Sequence, residues 1–318
     1  MLTDVELHRA YEAKTVLVTG GAGFIGSHLV EALVARKANV RVLDDLSTGS
    51  KSNLAAVSGR IELIVGDICD TDTCVRVAKG ADYIFHQAAL VSVPESIRAP
   101  DQSFRINITG TSHIFEAAHA CQTQRVVYAS SSAVYGDSTT MPLTESHCGR
   151  LMSPYAIGKR ASEFLAECAH AIHGMTSVGL RYFNVYGPRQ SPDSPYAAAI
   201  PIFVALARAR KAPTIYGDGS QTRDFVSVHD VVRANLLAGI AQELETPVVN
   251  VGTGVSTTIT SLAEMICSIL APELCPQYTA ARVGDIAHSV ASTSNAERLL
   301  GFHADIDLRS GIARLLDV

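Results

Sequence analysis

Apolar positions along this chain recur with two different periods, and their alternation predicts its architecture. Short β-branched runs at residues 15–19, 40–43, 61–65, 83–86, 125–129 and 176–181 read as buried strands. Longer amphipathic stretches at 26–36, 109–121 and 155–173 read as helices between them. Strands that alternate with helices in this way call for a parallel sheet covered on both faces, and right-handed crossovers make it doubly wound. Beyond Asn184 the pattern loosens, because Pro188, Pro192, Pro195, Pro201 and Pro213 break the chain into short mixed elements. The expected fold is therefore α/β, with a doubly wound parallel sheet over 1–184 and a smaller mixed C-terminal lobe over 185–318. The chain is free to cross between the two, and the second lobe is expected to carry substrate specificity. No low-complexity linker parts them and no internal repeat is visible.

Composition narrows the function. The 318 residues suit one large α/β domain or two modest ones, at roughly 100–200 residues per domain. Hydrophobic residues at 47% allow a large core, and a net charge of −5 without a Lys/Arg block gives nucleic acid or an anionic membrane no electrostatic hold. No apolar run approaches the roughly 18 residues that span a bilayer. Asp4, Glu6, His8 and Arg9 precede the first apolar run, unlike a secretory signal. Seven scattered cysteines lack any CxxC pair, so a soluble, reduced, cytoplasmic protein is expected.

The chemistry begins between the first strand and first helix. Gly20, Gly23 and Gly26 are spaced GxxGxxG, which suits a tight turn, close backbone approach to a pyrophosphate, and a helix N-terminus with unpaired N–H groups. Asp44 ends the second strand, where a carboxylate accepts from adenosine ribose hydroxyls and repels a 2′-phosphate. Asp45, Leu46 and Ser47 supply no arginine to hold such a phosphate, which favours NAD over NADP. Asp67, after the third strand, is placed either to meet the adenine or to cap a helix.

Tyr155 and Lys159 stand at i and i+4 on one helix face, behind Pro154 as a first-turn residue. An ammonium there favours the ionised form of the phenol and lowers a pKa that is about 10 in water, making a general base. Ser130, Ser131 and Ser132 lie just past the C-terminal end of a predicted strand, where open α/β sheets bind ligands, and a hydroxyl there can share a substrate proton with Tyr155. A serine-rich turn is the alternative.

Together with Arg181-Tyr182-Phe183-Asn184-Val185-Tyr186-Gly187-Pro188-Arg189, these residues resemble the extended short-chain dehydrogenase/reductase superfamily, and within it the nucleotide-sugar 4-epimerases, from about Lys14 to Leu300. The resemblance implies a Rossmann-type domain holding tightly bound NAD, with Ser131, Tyr155 and Lys159 catalytic. Phe24, Ile25, Ile68, Ala88, Asn107 and Tyr182 would join the glycines, Asp44 and Asp67 around the cofactor. Asn107 could equally be an N-cap.

Asn184, Arg223 and Arg282 match positions that hold a UDP diphosphate, Asp285 one that binds the uridine ribose, and Ser132 and Ser289 positions beside the sugar. Arg223 read alone would more often pair with Asp224. Dehydratases and decarboxylases that resemble this chain carry a glutamate where Ala133 stands, which leaves an epimerase that takes a hydride from C4 and returns it. The segment 85–97 is similar to the branch acting on UDP-N-acetylhexosamines, and a small Ser289 leaves room for an N-acetyl group. Interconversion of UDP-glucose and UDP-galactose could coexist with it.

His86 is expected to serve packing rather than catalysis. No HxH or HxxxH pattern suggests a metal, and His170 and His173 read as a solvated face. By the same resemblance, Ile114, Phe115 and Ala118 of one helix and Phe164, Leu165 and Cys168 of another would pair with a second copy as a homodimer. A dehydrogenase releasing reduced cofactor, and a non-catalytic NAD-binding scaffold, are the rival readings.

Overall fold

The computed structural model describes residues 3–191, 198–242, 248–281 and 286–316. Seven parallel strands form the main sheet: β1 (Thr15–Thr19), β2 (Asn39–Asp44), β3 (Ile61–Val65), β4 (Tyr83–His86), β5 (Arg125–Ser131), β6 (Ser177–Tyr182) and β7 (Val248–Val251). Their order is β3-β2-β1-β4-β5-β6-β7, so the winding reverses between β1 and β4. Ligands of doubly wound sheets bind outside the carboxyl ends of the strands at such a reversal.

Strand side chains point alternately to the two faces. Val16, Val18, Phe85 and Val127 join a core with Leu29, Val30 and Leu33 of the helix Phe24–Ala35 and Val231, Leu236 and Leu237 of the helix Val228–Ile240. Leu17, Ile84 and Val126 turn the other way, onto Cys74 and Val77 of Thr71–Ala78, Ile114 and Phe115 of Thr111–Ala120, and Ala166 of Pro154–His173. Ile114, Phe115 and Ala118 thus cover the sheet and are buried, contrary to the expectation that they face a second copy. An amphipathic helix shows the same pattern whether its apolar face meets a sheet or a partner, so periodicity does not separate the two.

The second lobe has its own core of Tyr186, Ile200, Phe203, Ile215, Leu262, Ile266 and Ile312. Three strand pairs frame it: Asn184–Tyr186 with Phe225–Ser227, Thr214–Tyr216 with Gln277–Thr279, and Thr222–Arg223 with Thr257–Thr258. A division at 184/185 does not follow the sheet, because β7, the helix Val228–Ile240 and the helix Ser294–Leu300 all return to the first core. The lobes are interleaved.

Candidate active site

The glycine turn has a shape only glycine fits. Gly20 adopts φ +67°, and a Cβ there would lie 2.6 Å from the backbone nitrogen of Ala88, at the start of β4's exit loop. At Gly26 a Cβ would stand 2.1 Å from the Gly20 carbonyl oxygen. Gly23 is the N-cap of Phe24–Ala35, and no side chain caps that helix end. Amide groups of the first turn, including Phe24, Ile25 and Gly26, then suit the two phosphates of a dinucleotide. The Phe24 ring itself lies beside Gly187 of the second lobe.

Asp44 ends β2, buried, and accepts from Ala22 N at 2.8 Å and from Leu46 N at 2.9 Å. Burial pushes its carboxyl up, and those two amides oppose the rise. Each oxygen keeps a further acceptor site, so the carboxylate both shapes the glycine turn and suits a ribose diol. Asp45 is turned onto Ser47, whose N and Oγ donate to it at 2.9 and 2.6 Å.

Asp67 is not the helix cap, since Asp70 fills that place for Thr71–Ala78. Instead it accepts from Cys69 N at 2.8 Å and pairs with Arg105 at 3.3 Å, while Ile68 is buried against Gly110. Asn107 is no N-cap either. It sits in a π-helical turn (Arg105–Gly110) and clamps Leu90, accepting from its N at 2.8 Å and donating to its O at 3.0 Å.

His86 has the structural place expected of it. Ala88 N donates to Thr19 Oγ1 at 3.3 Å, and Thr19 Oγ1 lies 2.7 Å from His86 Nδ1. His86 Nε2 lies 3.0 Å from Thr111 Oγ1, which donates to Asn107 O at 2.8 Å. This run of bonds assigns the proton to Nε2. Burial, with the nearby Lys159 charge, pulls the imidazole down to about 3, so it is neutral. The Tyr182 hydroxyl is hydrogen bonded to Gln87 and Asn235 at 3.2 and 3.0 Å, which leaves its ring edge rather than its hydroxyl for a cofactor.

Ser131 is the last residue of β5, and its Oγ accepts from Ala133 N at 3.1 Å. Tyr155 stands in the first turn of Pro154–His173, capped by Ser153, and lies near enough to Ser131 to feel its hydroxyl. Lys159 Nζ is 5.9 Å from the centre of the Tyr155 ring and donates to Ala129 O at 2.7 Å. The three residues predicted from sequence therefore converge at the carboxyl end of β5.

Their electrostatics differ from expectation. Burial raises the Tyr155 phenol above its ordinary value, with Ser131 opposing the rise, where the i, i+4 lysine led to the expectation of a lowered one. Lys159 is itself pulled down to about 8 by burial. Desolvation penalises both charged forms, and it cannot be read from an i, i+4 spacing.

Beneath these groups lies a buried network that sequence reasoning missed. Glu163 accepts from Ser130 Oγ at 2.6 Å and from Arg181 Nε and Nη2, both at 2.8 Å, and pairs with Arg160. Burial would raise this carboxyl, yet Arg181 holds it below its ordinary range. The signal was available, since Glu163 lies one turn beyond Lys159 on the face that must be buried.

In the second lobe, Asn184 N donates to Asp224 O at 2.9 Å and Asn184 pairs with Phe225, two residues beyond Arg223. Buried Asp224 spends its carboxylate on Thr253 N and Oγ1, Gly254 N and Ala291 N, at 2.6–3.1 Å. Ser289, nearly buried, donates its N to Thr222 O at 3.2 Å, and Ser132 opens the short turn after β5. Arg282 and Asp285 lie outside the described residues. Arg189, from the 181–189 motif, grips the glycine helix by bonding Ser27 at 3.1 Å and Glu31 at 2.5 Å.

A family model described as NAD dependent epimerase/dehydratase matches residues 16–252. The chain is 36% identical over 304 residues to a putative UDP-glucose 4-epimerase of Methanocaldococcus jannaschii, covering 95% of this chain and 97% of that one. It is 37% identical over 309 residues to a UDP-glucose 4-epimerase of Mycolicibacterium smegmatis, with the same coverage of 95% and 97%. Its structure resembles that of the UDP-N-acetylglucosamine 4-epimerase of Methanobrevibacter ruminantium in complex with UDP-N-acetylmuramic acid. There the TM-score is 0.91 and the identity 39%, over 96% of this chain and 99% of that one.

Proposed function

This chain belongs to the NAD dependent epimerase/dehydratase family, and we propose that it inverts C4 of UDP-sugars through a transient 4-ketone. The carrying observation is the convergence of Ser131, Tyr155 and Lys159 at the end of β5 with no carboxylate at position 133. Dehydration or decarboxylation asks for a further acid–base group after the ketone forms. The carboxylates built into this region, Glu163 and Glu145, are tied to Arg181 and to Asn250 and Asn295.

Bound NAD supplies an acceptor that takes the C4 hydride and gives it back. The residues present fit it: the glycine turn admits the diphosphate, and Asp44 suits the adenosine ribose. Tyr155 takes the O4 proton and later returns it. Ser131, beside the phenol, relays or orients that proton. Lys159, fixed on Ala129 O with its Nζ 5.9 Å from the Tyr155 ring, provides the positive charge that favours the phenolate needed to accept the O4 proton, and would bind the nicotinamide ribose. Asn184, Arg223, Arg282 and Asp285 retain the UDP moiety while the ketone turns over about its diphosphate linkage.

Small Ser289 and the 85–97 segment favour UDP-N-acetylglucosamine and UDP-N-acetylgalactosamine, with UDP-glucose and UDP-galactose as further substrates. Ile157, Phe164 and Ile172, 41%, 52% and 67% exposed on the outer face of Pro154–His173, support docking of a second copy. No helix among the described residues is long and apolar enough to cross a membrane, and all seven cysteines are free, which suits a reducing cytoplasm.

Incubation with UDP-N-acetylglucosamine and with UDP-glucose, followed by chromatographic separation of epimers, tests the reading. Conversion without growth of NADH absorbance supports it. Steady release of NADH would instead identify a dehydrogenase. Replacing Tyr155 with Phe should lower turnover by about 10²–10⁴-fold. Full activity of that variant would remove Tyr155 from its role.

A further inference from the structure

We infer that Ser96 is a positioning residue for Tyr155, acting on the backbone at the start of its helix; this rests on Tyr155 being the proton-transferring group. The first turn of a helix leaves its N–H groups without intrahelical partners. In Pro154–His173, Ser153 Oγ accepts from Ala156 N at 3.1 Å, and Pro154 has no N–H to satisfy. The donor between them is the N–H of Tyr155 itself. It is met from a different element: Ser96 Oγ, on the helix Val93–Arg98, accepts from Tyr155 N at 3.1 Å.

Ser96 is fully buried, and its hydroxyl proton goes to Val93 O at 2.6 Å. That bond fixes the rotor and leaves acceptance as its role toward Tyr155. The helix carrying Ser96 is also held at its N-terminal end. Ser92 Oγ caps it by accepting from Glu95 N at 3.2 Å, and the preceding loop is clamped at Leu90 by Asn107. The same loop packs Ala88 against Gly20. Ser96 therefore references the phenol-bearing residue to the exit loop of β4, which lines the glycine turn.

The distance that matters is the one across to Ser131 on β5. The Ser131 side chain opposes the burial that raises the Tyr155 phenol. Freeing the Tyr155 N–H lets the helix end shift away from Ser131, which raises the phenol further and misplaces it for the O4 proton.

The test compares Ser96→Ala and Ser96→Cys with the full-length NAD-loaded protein, rates being normalised to bound NAD and measured on the UDP-sugar it converts. Ser96→Ala should lower kcat about tenfold with KM changed less than twofold. The acid limb of its kcat–pH profile should move to higher pH, since the base must be deprotonated and its pKa has risen. Ser96→Cys should fall between, because sulfur is the weaker acceptor. A merely structural serine would lower the melting temperature and the NAD-loaded fraction while leaving kcat per loaded site and the acid limb unmoved, and that result overturns the inference. Should Ser96→Ala not fold, Ser96→Cys decides alone on the same two readouts. Activity retained by Tyr155→Phe would sink the assignment of Tyr155, whereas an inactive Tyr155→Phe beside an unaffected Ser96→Ala would sink only the role of Ser96.

Discussion

Replacing Lys159 with Met should stabilise the fold while abolishing turnover, and the stabilisation should depend on pH in a defined direction. Lys159 is 5% exposed, and burial lowers its pKa from 10.5 to about 8. That fall corresponds to roughly 3 kcal/mol spent keeping the ammonium charged inside the folded protein. The folded state binds fewer protons than the unfolded chain between about pH 8 and 10.5, so stability rises with pH across that window. Below pH 8 the cost is present in full. Raising the pH from 7 to 10 should relieve about 2–3 kcal/mol of it in the wild type and none in the variant.

Met also loses the donor to Ala129 O, which costs about 1–2 kcal/mol. The neutral amine still donates to that oxygen, so this loss is the same at both pH values and drops out of the comparison. Urea unfolding of both proteins at pH 7 and pH 10 gives the double difference directly, with other titrating groups cancelling between them. A wild-type-minus-variant gap that stays constant from pH 7 to 10 would refute a charged, desolvated Lys159. So would a gap that widens in the variant's favour.

Other outcomes follow from single contacts. Gly20→Ala forces a Cβ to within 2.6 Å of Ala88 N at φ +67°, so NAD co-purifying with the protein, read after acid release, should fall at least tenfold while the far-UV spectrum is kept. Phe164→Glu, at a position 52% exposed, should convert the proposed dimer to a monomer in sedimentation equilibrium without lowering the melting temperature by more than about 1 °C. A wild type already monomeric would count against that face.

What the sequence determined by itself was everything encoded within a few neighbouring residues. The strand, turn and helix around Gly20, Gly23 and Gly26, the strand-end place of Asp44, and the shared helix face of Tyr155 and Lys159 all follow from local periodicity and from the glycine geometry of one turn. Strand ends were legible to within two residues for the same reason. The sequence alone could not say that Val248–Val251 returns to the first sheet, because pairing with β6 joins residues far apart in the chain.

Nor could it say that Asn107 clamps Leu90 or that Ser96 meets the Tyr155 amide, since both are distant partners with no sequence period between them. The sign of the Tyr155 shift was decided by tertiary structure as well. Spacing predicts which charges are near, but desolvation sums over every atom that displaces water, and here that sum raises the phenol.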